Sequence, residues 1–257
     1  MELVSIITPS YNSQDYIKEM INSIINQTYS NWELIITDDC SQDDTLNIIN
    51  SFVKEDHRIK LFKLNKNSGP AIARNHSIKM ASGKYIAFCD SDDIWISTKL
   101  EIQINYMELN NLNFTYSSYD IISADGTYLF TKKVSKKISY FSTLLFNEIG
   151  CLTVVYDKNY LGKMYMPNFL KRQDWGLWLI IMRKVRMTSG ITQPLAKYRR
   201  SGGSISSNKL SLIKYNFLIY YKSEKYSFIF SLLLLIIFIA LYSLGKLYNF
   251  RNIFFRG

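Results

Sequence analysis

GKYIAFCDSDD, residues 83–93, is a short apolar run that stops in three carboxylates. A glycine at one end, β-prone residues in the middle and acids at the exit make a buried strand whose polar end must leave the core. The same design stands upstream. LVSIIT (3–8) stops at Pro9 in TPSYN, ELIITD (33–38) runs into TDDCSQDDT (37–45), and KLFKL (60–64) supplies another strand. Between these runs Ile17, Met20, Ile21, Ile24 and Ile25 recur at helical spacing, as do Leu46, Ile49 and Val53, and less cleanly Ala71, Asn75 and Ile78. Strands alternating with helices predict an α/β fold, a mostly parallel central sheet flanked by helices. Ligands of such sheets bind beyond the carboxyl ends of the strands, where the polar motifs fall.

Further along, the spacing predicts a helix over 98–111, a strand over 113–123, a turn at Ala124-Asp125-Gly126 and a tryptophan-rich helix around 173–186. After Ser201-Gly202-Gly203-Ser204 the composition shifts to Leu, Ile, Phe, Tyr and Lys. The 257 residues, 47% hydrophobic, are enough for one large or two closely joined domains. Cys40, Cys89 and Cys151 form no CxxC or Cys/His cluster, which argues against a disulfide framework or structural zinc and for a reducing compartment. The start of the chain lacks the basic and apolar regions of a secretion signal.

Charge is divided unevenly. Residues 1–130 carry 10 Lys/Arg against 17 Asp/Glu, whereas residues 131–257 carry 21 against 4. A basic half calls for a polyanionic partner, either nucleic acid or an anionic membrane. Residues 226–245, YSFIFSLLLLIIFIALYSLG, contain no charge and as a helix would extend about 30 Å, so membrane takes precedence and no nucleic acid is expected. Lysines, arginines and aromatics flank the run as at a membrane interface. A tilted crossing, a re-entrant or in-plane helix and one packed on a partner are all open, and a buried core helix is the plain alternative.

Asp90, Asp92 and Asp93 repel one another unless a cation or a set of donors offsets them. Mg²⁺ or Mn²⁺ would do so, taking few protein carboxylates and completing its shell with water and phosphate oxygens; a solvated cap on the following helix is the simpler reading. Asp38 or Asp39 has the position to accept hydrogen bonds from a ribose or base, Ser41 and Asp43 suit a helix cap, and Tyr11 and Asn12 are further base contacts. In NSGPAIARN, Gly69 permits close backbone approach and Arg74 lies within reach of a pyrophosphate. There is no GxGxxG and no GxxxxGK[ST], and His57 and His76 read as a loop residue and a packing residue. In KRQDWGLWLIIMRK (171–184), Asp174 stands beside Trp175 and Trp178. Either it is a partly desolvated general base, or a favourable charge at a helix start.

TPSYN, DDCSQDDT, NSGPAIARN, GKYIAFCDSDD, RQDWGLWL and PLAKYRRSGGSIS, in this order, resemble the inverting family 2 glycosyltransferases of bacterial surface polysaccharide synthesis. The resemblance covers roughly residues 1–207. It implies a GT-A fold over 1–205, with 1–97 binding the nucleotide-sugar and 98–205 the acceptor; the composition of 206–257 adds a membrane-associated tail. It further implies a nucleotide-diphospho-sugar donor, usually UDP-linked, and a divalent cation, Mn²⁺ or Mg²⁺. Residue by residue, Pro9, Tyr11 and Asp39 would contact base or ribose, Asp90 and Asp92 would form the DxD motif with Asp92 at the metal, and Asp174 would be the base. In the single displacement expected of such an enzyme, cations such as Arg199 or Arg200 would steady the departing nucleoside diphosphate. Cys40, Ser97 and Gln173 depart from the family pattern, where glycine, proline and glutamate are common. A tail at the membrane makes a lipid-linked saccharide at the cytoplasmic face of the cell membrane the expected acceptor. A metal-dependent nucleotidyltransferase and a non-enzymatic membrane scaffold are the other classes compatible with the pattern.

Overall fold

A computed structural model describes residues 1–200 and 209–248. The Ser201–Ser204 junction and the tail beyond residue 248, with Arg251 and Arg256, lie outside the described residues. Strands β1 (Val4–Ser10) and β2 (Trp32–Asp38) are buried along their whole length, as continuous apolar runs covered on both faces must be. Between them α1 (Ile17–Ile25) buries Ile17, Met20, Ile21 and Ile24, the predicted stripe. α2 (Thr45–Glu55), β3 (Ile59–Lys63), α3 (Pro70–Met80) and β4 (Tyr85–Phe88) complete the alternation.

The second half follows as β5 (Ile94–Trp95), α4 (Lys99–Leu109), β6 (Phe114–Ser123), β7 (Tyr128–Lys132), β8 (Lys137–Ser139), α5 (Tyr140–Leu145), a 3₁₀ turn at Cys151–Thr153, β9 (Val155–Asp157), α6 (Lys158–Leu161), α7 (Gln173–Val185) and β10 (Met187–Arg200). All strands join one sheet in the order β3-β2-β1-β4-β9-β6-β10-β5, with β7 on β6 and β8 on β10. Pairing is parallel from β3 to β4, antiparallel on both sides of β9, and parallel again between β6 and β10. The sheet is thus mixed, mostly parallel in its first half. Its two faces carry separate apolar clusters, one around α1 and α4 and one around α3 and α7.

α8 (Lys209–Leu218), a π-turn (Ile219–Ser223) and α9 (Phe228–Tyr248) form a helical hairpin. Among the described residues no helix is long and apolar enough to cross a membrane, so the tilted crossing is not found. One face of α9 has a different use: Leu234, Leu235 and Phe238 pack with Ile219 and Tyr220 against Trp175 and Leu179 of α7. Part of the apolarity of this run therefore belongs to a core.

Candidate active site

The carboxyl ends of β1, β2 and β4, the start of α7 and the β6–β7–β10 face enclose a cleft of about 1210 Å³. Pro9, Tyr11, Asp39, Gly69, Arg74, Asp90, Asp92, Asp174, Arg199 and Arg200 all line it. Residues nearly 200 positions apart meet there because parallel strands deliver their C-terminal ends to one edge.

At the end of β2 the two aspartates divide. Asp38 is fully buried and accepts hydrogen bonds from the Ser41 backbone N–H (2.9 Å) and hydroxyl (2.5 Å), closing the turn. Asp39 turns to the cleft, and its oxygens accept from the backbone N–H groups of Ser68 and Gly69, each at 2.7 Å. It therefore ties the 68–69 loop to β2 while keeping spare lone pairs for a ligand. Gly69 has φ +90°, a conformation that L side chains rarely adopt, and it opens α3 with Pro70 in the first turn. Cys40 has φ +70°, also left-handed, which is the geometric reason a glycine suits this turn. Asp43 takes the N–H groups of Thr45 and Gln14 rather than standing as the cap itself, which is Asp44.

At the end of β4 compensation is incomplete. Asp90 receives Arg74 Nη2 at 2.5 Å. Arg74 is buried, so the side chain predicted to reach a pyrophosphate instead holds Asp90. Burial and the neighbouring Asp90 push the Asp92 carboxyl up to about 6, partly opposed by Arg199 and Arg74. Asp93 is deeper; burial, Asp92 and Asp90 raise it well above the carboxylate range, and its Oδ2 has no hydrogen-bond partner. The Ser13 and Ser91 hydroxyls, 2.8 Å apart, join the ends of β1 and β4.

The adjacent arginines of β10 differ sharply. Arg199 is buried, donating from Nε to the Asp92 carbonyl (3.1 Å), from Nη1 to Ala124 O (2.8 Å) and from Nη2 to Glu19 (2.5 Å), while its backbone N–H donates to Asp93. Arg200 is exposed, with its guanidinium 5.1 Å from the Phe130 ring. Arg199 thus braces the acidic loop, and Arg200 faces the open cleft.

Asp174 lies in the first turn of α7, preceded by Arg172 with φ +62°. The indoles do not surround it as the sequence suggested. Trp175 is buried against Tyr220 and Phe238 and donates to Thr143 O at 2.8 Å; Trp178 is buried against Phe88 and Phe114. Trp175, one step on, leaves the helix on another side; Trp178, one turn on, shares the side of Asp174 but has its ring in the Phe88–Phe114 core, so the tryptophans seat the helix while Asp174 lines the cleft. Gln173, with its amide oriented to suit its neighbours, accepts from Arg74 Nη1 at 3.0 Å and links α7 to the Arg74–Asp90 pair. His76 packs on Phe62 and pairs with Thr37, and His57 is exposed in a turn. Sequence reasoning missed Phe130, Lys132, Tyr119 and Tyr198 on the sheet wall, and Lys171 and Arg172 before α7. Single residues in unremarkable strands carry no motif; the aromatic and basic alternation of YLFTK was the available signal.

The family model described as "Glycosyl transferase family 2" matches residues 5–163. The chain belongs to this family. It is 44% identical over 214 residues to the UDP-Glc:alpha-D-GlcNAc-diphosphoundecaprenol beta-1,3-glucosyltransferase WfgD of Escherichia coli, covering 82% of this chain and 83% of that one. It is 41% identical over 228 residues to the Bacillus subtilis protein named "Putative teichuronic acid biosynthesis glycosyltransferase TuaG", covering 88% and 90%. The fold is shared with S. aureus TarS 1–349 in complex with UDP-GlcNAc, at TM-score 0.71 and 19% identity over 99% of this chain and 76% of that one. It is also shared with a Pyrobaculum calidifontis mannosyltransferase in complex with GDP-Man and Mn²⁺, at TM-score 0.64 and 14% identity over 96% and 76%. As a family 2 member the chain is a glycosyltransferase with a GT-A fold.

GT-A enzymes commonly use a divalent metal, and the residues of this glycosyltransferase fit one. Among the described residues no cluster of three or more metal-ligating side chains gathers. A hard cation bound largely through diphosphate oxygens needs only one or two carboxylates. Asp92, whose proton affinity is raised first by burial and then by the neighbouring Asp90, and the unpartnered Asp93 Oδ2 nearby are the chemistry such an ion relieves.

Proposed function

We propose that this glycosyltransferase inverts the donor's anomeric configuration, moving a sugar from a UDP-sugar to a hydroxyl of a saccharide carried on a polyprenyl diphosphate. The reaction would serve surface polysaccharide assembly at the cytoplasmic face of the cell membrane, with the C-terminal tail as the attachment. The observation that carries the reading is that Asp174, in the first turn of α7, opens on the same cleft as Asp90 and Asp92. The names of the E. coli relative and of the TarS complex support a UDP-sugar donor, and the former supports a diphosphoundecaprenol-linked acceptor. UDP-glucose is the first donor to test.

In this reading residues 1–97 hold the donor and residues 98–205 the acceptor. Pro9, Tyr11 and Asp39 receive base and ribose, and Gly69 lets the loop backbone approach. Asp90 meets the ribose, kept in place by Arg74. Asp92 holds the divalent cation, Mn²⁺ or Mg²⁺, which would neutralise the leaving diphosphate. Asp174 removes the acceptor hydroxyl proton as that oxygen bonds to the anomeric carbon and the bond from that carbon to the diphosphate oxygen breaks. Arg200 steadies the UDP that departs, and Arg199 acts through the acidic loop it braces. One displacement inverts the centre, and no second nucleophilic carboxylate is required.

Calorimetry with UDP, GDP and dTDP, with and without Mn²⁺, tests the donor side. Metal-dependent binding of UDP alone is expected, lost in Asp92→Ala; a folded sample that binds none of the three rejects the donor assignment. For the base, Asp174→Asn is expected to bind UDP normally and lower kcat by roughly 10²–10⁴-fold. An unchanged transfer rate removes Asp174 from that role.

A further inference from the structure

α9 is apolar on both sides. Its inner face fills the cluster around Trp175. Its outer face presents Ile229 (80% exposed), Leu232, Leu233, Ile236 (56%) and Ile239, which recur at helical spacing and form one continuous strip. A strip of this kind on a protein surface marks an interaction site.

The surroundings of the strip define the partner. Phe228, Phe217 and Tyr221 form a ring cluster at its start, with centroids 5.3–6.2 Å apart, and Lys222 Nζ lies 5.1 Å from the Tyr221 ring. Lys214, Lys222 and Lys225 are exposed. Residues 206–257 contain seven Lys/Arg and a single acid, Glu224. That acid is buried, paired with Arg183 at 2.7 Å and hydrogen-bonded by Tyr140, so it offers no countercharge at the surface. Aromatic rings and cations along the edge of an apolar helix face match the headgroup boundary of an anionic bilayer. A second copy meeting this face with its own would bring the same exposed lysines and, among the described residues of the hairpin, no exposed acid to meet them.

We propose that the outer face of α9, with the Phe217–Tyr221–Phe228 cluster and Lys222 and Lys225 at its rim, docks on an anionic lipid bilayer with the helix lying in the plane of the interface. The inference rests on the membrane location proposed above, and it names the surface and the lipid charge. It also places the lipid phase close to the reaction. Leu212 of α8 lines the cleft, and the inner face of α9 packs on Trp175, the residue after Asp174. A carrier lipid held in the bilayer thus approaches along the hairpin.

The test uses the full chain and vesicles of phosphatidylcholine, with or without phosphatidylglycerol, in the absence of nucleotide and acceptor. Sedimentation is expected to show binding roughly tenfold tighter to the anionic vesicles at low salt. The double change Ile229→Glu with Ile236→Glu should weaken it at least about tenfold while the melting temperature and UDP binding stay as in the parent. Lys222→Glu with Lys225→Glu should narrow the preference for phosphatidylglycerol. The tryptophan emission that Ile236→Trp adds over the parent should be quenched by brominated lipid. Parent-like vesicle binding by the double glutamate variant overturns the proposal, as does added emission from Ile236→Trp that brominated lipid leaves unquenched, no preference for anionic lipid, or a variant whose sole change is dimer to monomer. Because no substrate is present, these outcomes are separate from failure of the donor and acceptor reading, which the nucleotide calorimetry reports.

Discussion

β2 and β4 lie on either side of β1 and end in similar acidic sequences, TDD and DSDD, yet the two ends are built differently. At β2 each carboxylate meets two donors: Asp38 takes the Ser41 N–H and hydroxyl, and Asp39 takes the N–H groups of Ser68 and Gly69. At β4, Arg74 holds Asp90 and a backbone N–H from Arg199 holds Asp93, while Asp93 Oδ2 goes without a partner. Backbone donors turn an acidic cluster into scaffold; their shortage leaves charge that a cation relieves.

The largest test of this contrast exchanges activity for stability. Asp92→Asn should lower transfer at least about a hundredfold, as loss of a charge-stabilising group does, while the melting temperature holds or rises because a repulsive charge is gone. Asp38→Ala should do the reverse, costing about 2–4 kcal/mol in denaturant titration through two lost hydrogen bonds to a buried carboxylate, with UDP affinity per folded molecule kept. If both variants lose stability equally, the two ends are equivalent and the contrast fails.

Next in size, Arg199→Ala should cost about 2–4 kcal/mol, since it strips donors from Glu19 and from the Ala124 and Asp92 carbonyls. Arg200→Ala should change stability by no more than about 0.5 kcal/mol and act on transfer instead. Paired denaturation and kinetic measurements separate the two.

Away from the cleft, Glu33 provides a calibration. Burial opposes its charge, but Lys60, Ser5 and Ser82 outweigh this with hydrogen bonds and hold it down to about 2. Below the ordinary value near 4.5 the unfolded chain takes the proton first. Stability of up to about 3 kcal/mol is therefore present above pH 4.5 and lost as pH falls toward 2. Glu33→Gln should flatten that slope in acid titrations followed by circular dichroism. The smallest effect belongs to the β2 turn: Cys40→Gly should raise stability by about 0.5 kcal/mol, because glycine accepts φ +70° without a Cβ conflict.

The alternation of strands and helices was readable because each period is local: Ile17, Met20, Ile21 and Ile24 are buried as their spacing required. The positions of the site residues at strand ends followed from the same logic. Their partners did not. Arg74 looked like an anion ligand, and only the packed α3 turns it to Asp90; Trp175 and Trp178 looked like the walls around Asp174, and only α7's seating sends them into two different cores. The 226–245 run was equally ambiguous, since hydropathy does not say which face of a helix another helix covers.

By itself, then, the sequence determined the α/β alternation, the family motifs and the set of polar residues delivered to one edge of a parallel sheet, because backbone periodicity and strand direction are short-range properties. The tertiary structure decided which of those residues are engaged by the protein and which face the cleft. Asp38 and Asp39, like Arg199 and Arg200, are neighbours in the chain with matching chemistry; burial separates the two arginines, and the donors and acceptors brought from as far as 180 residues away separate the members of both pairs.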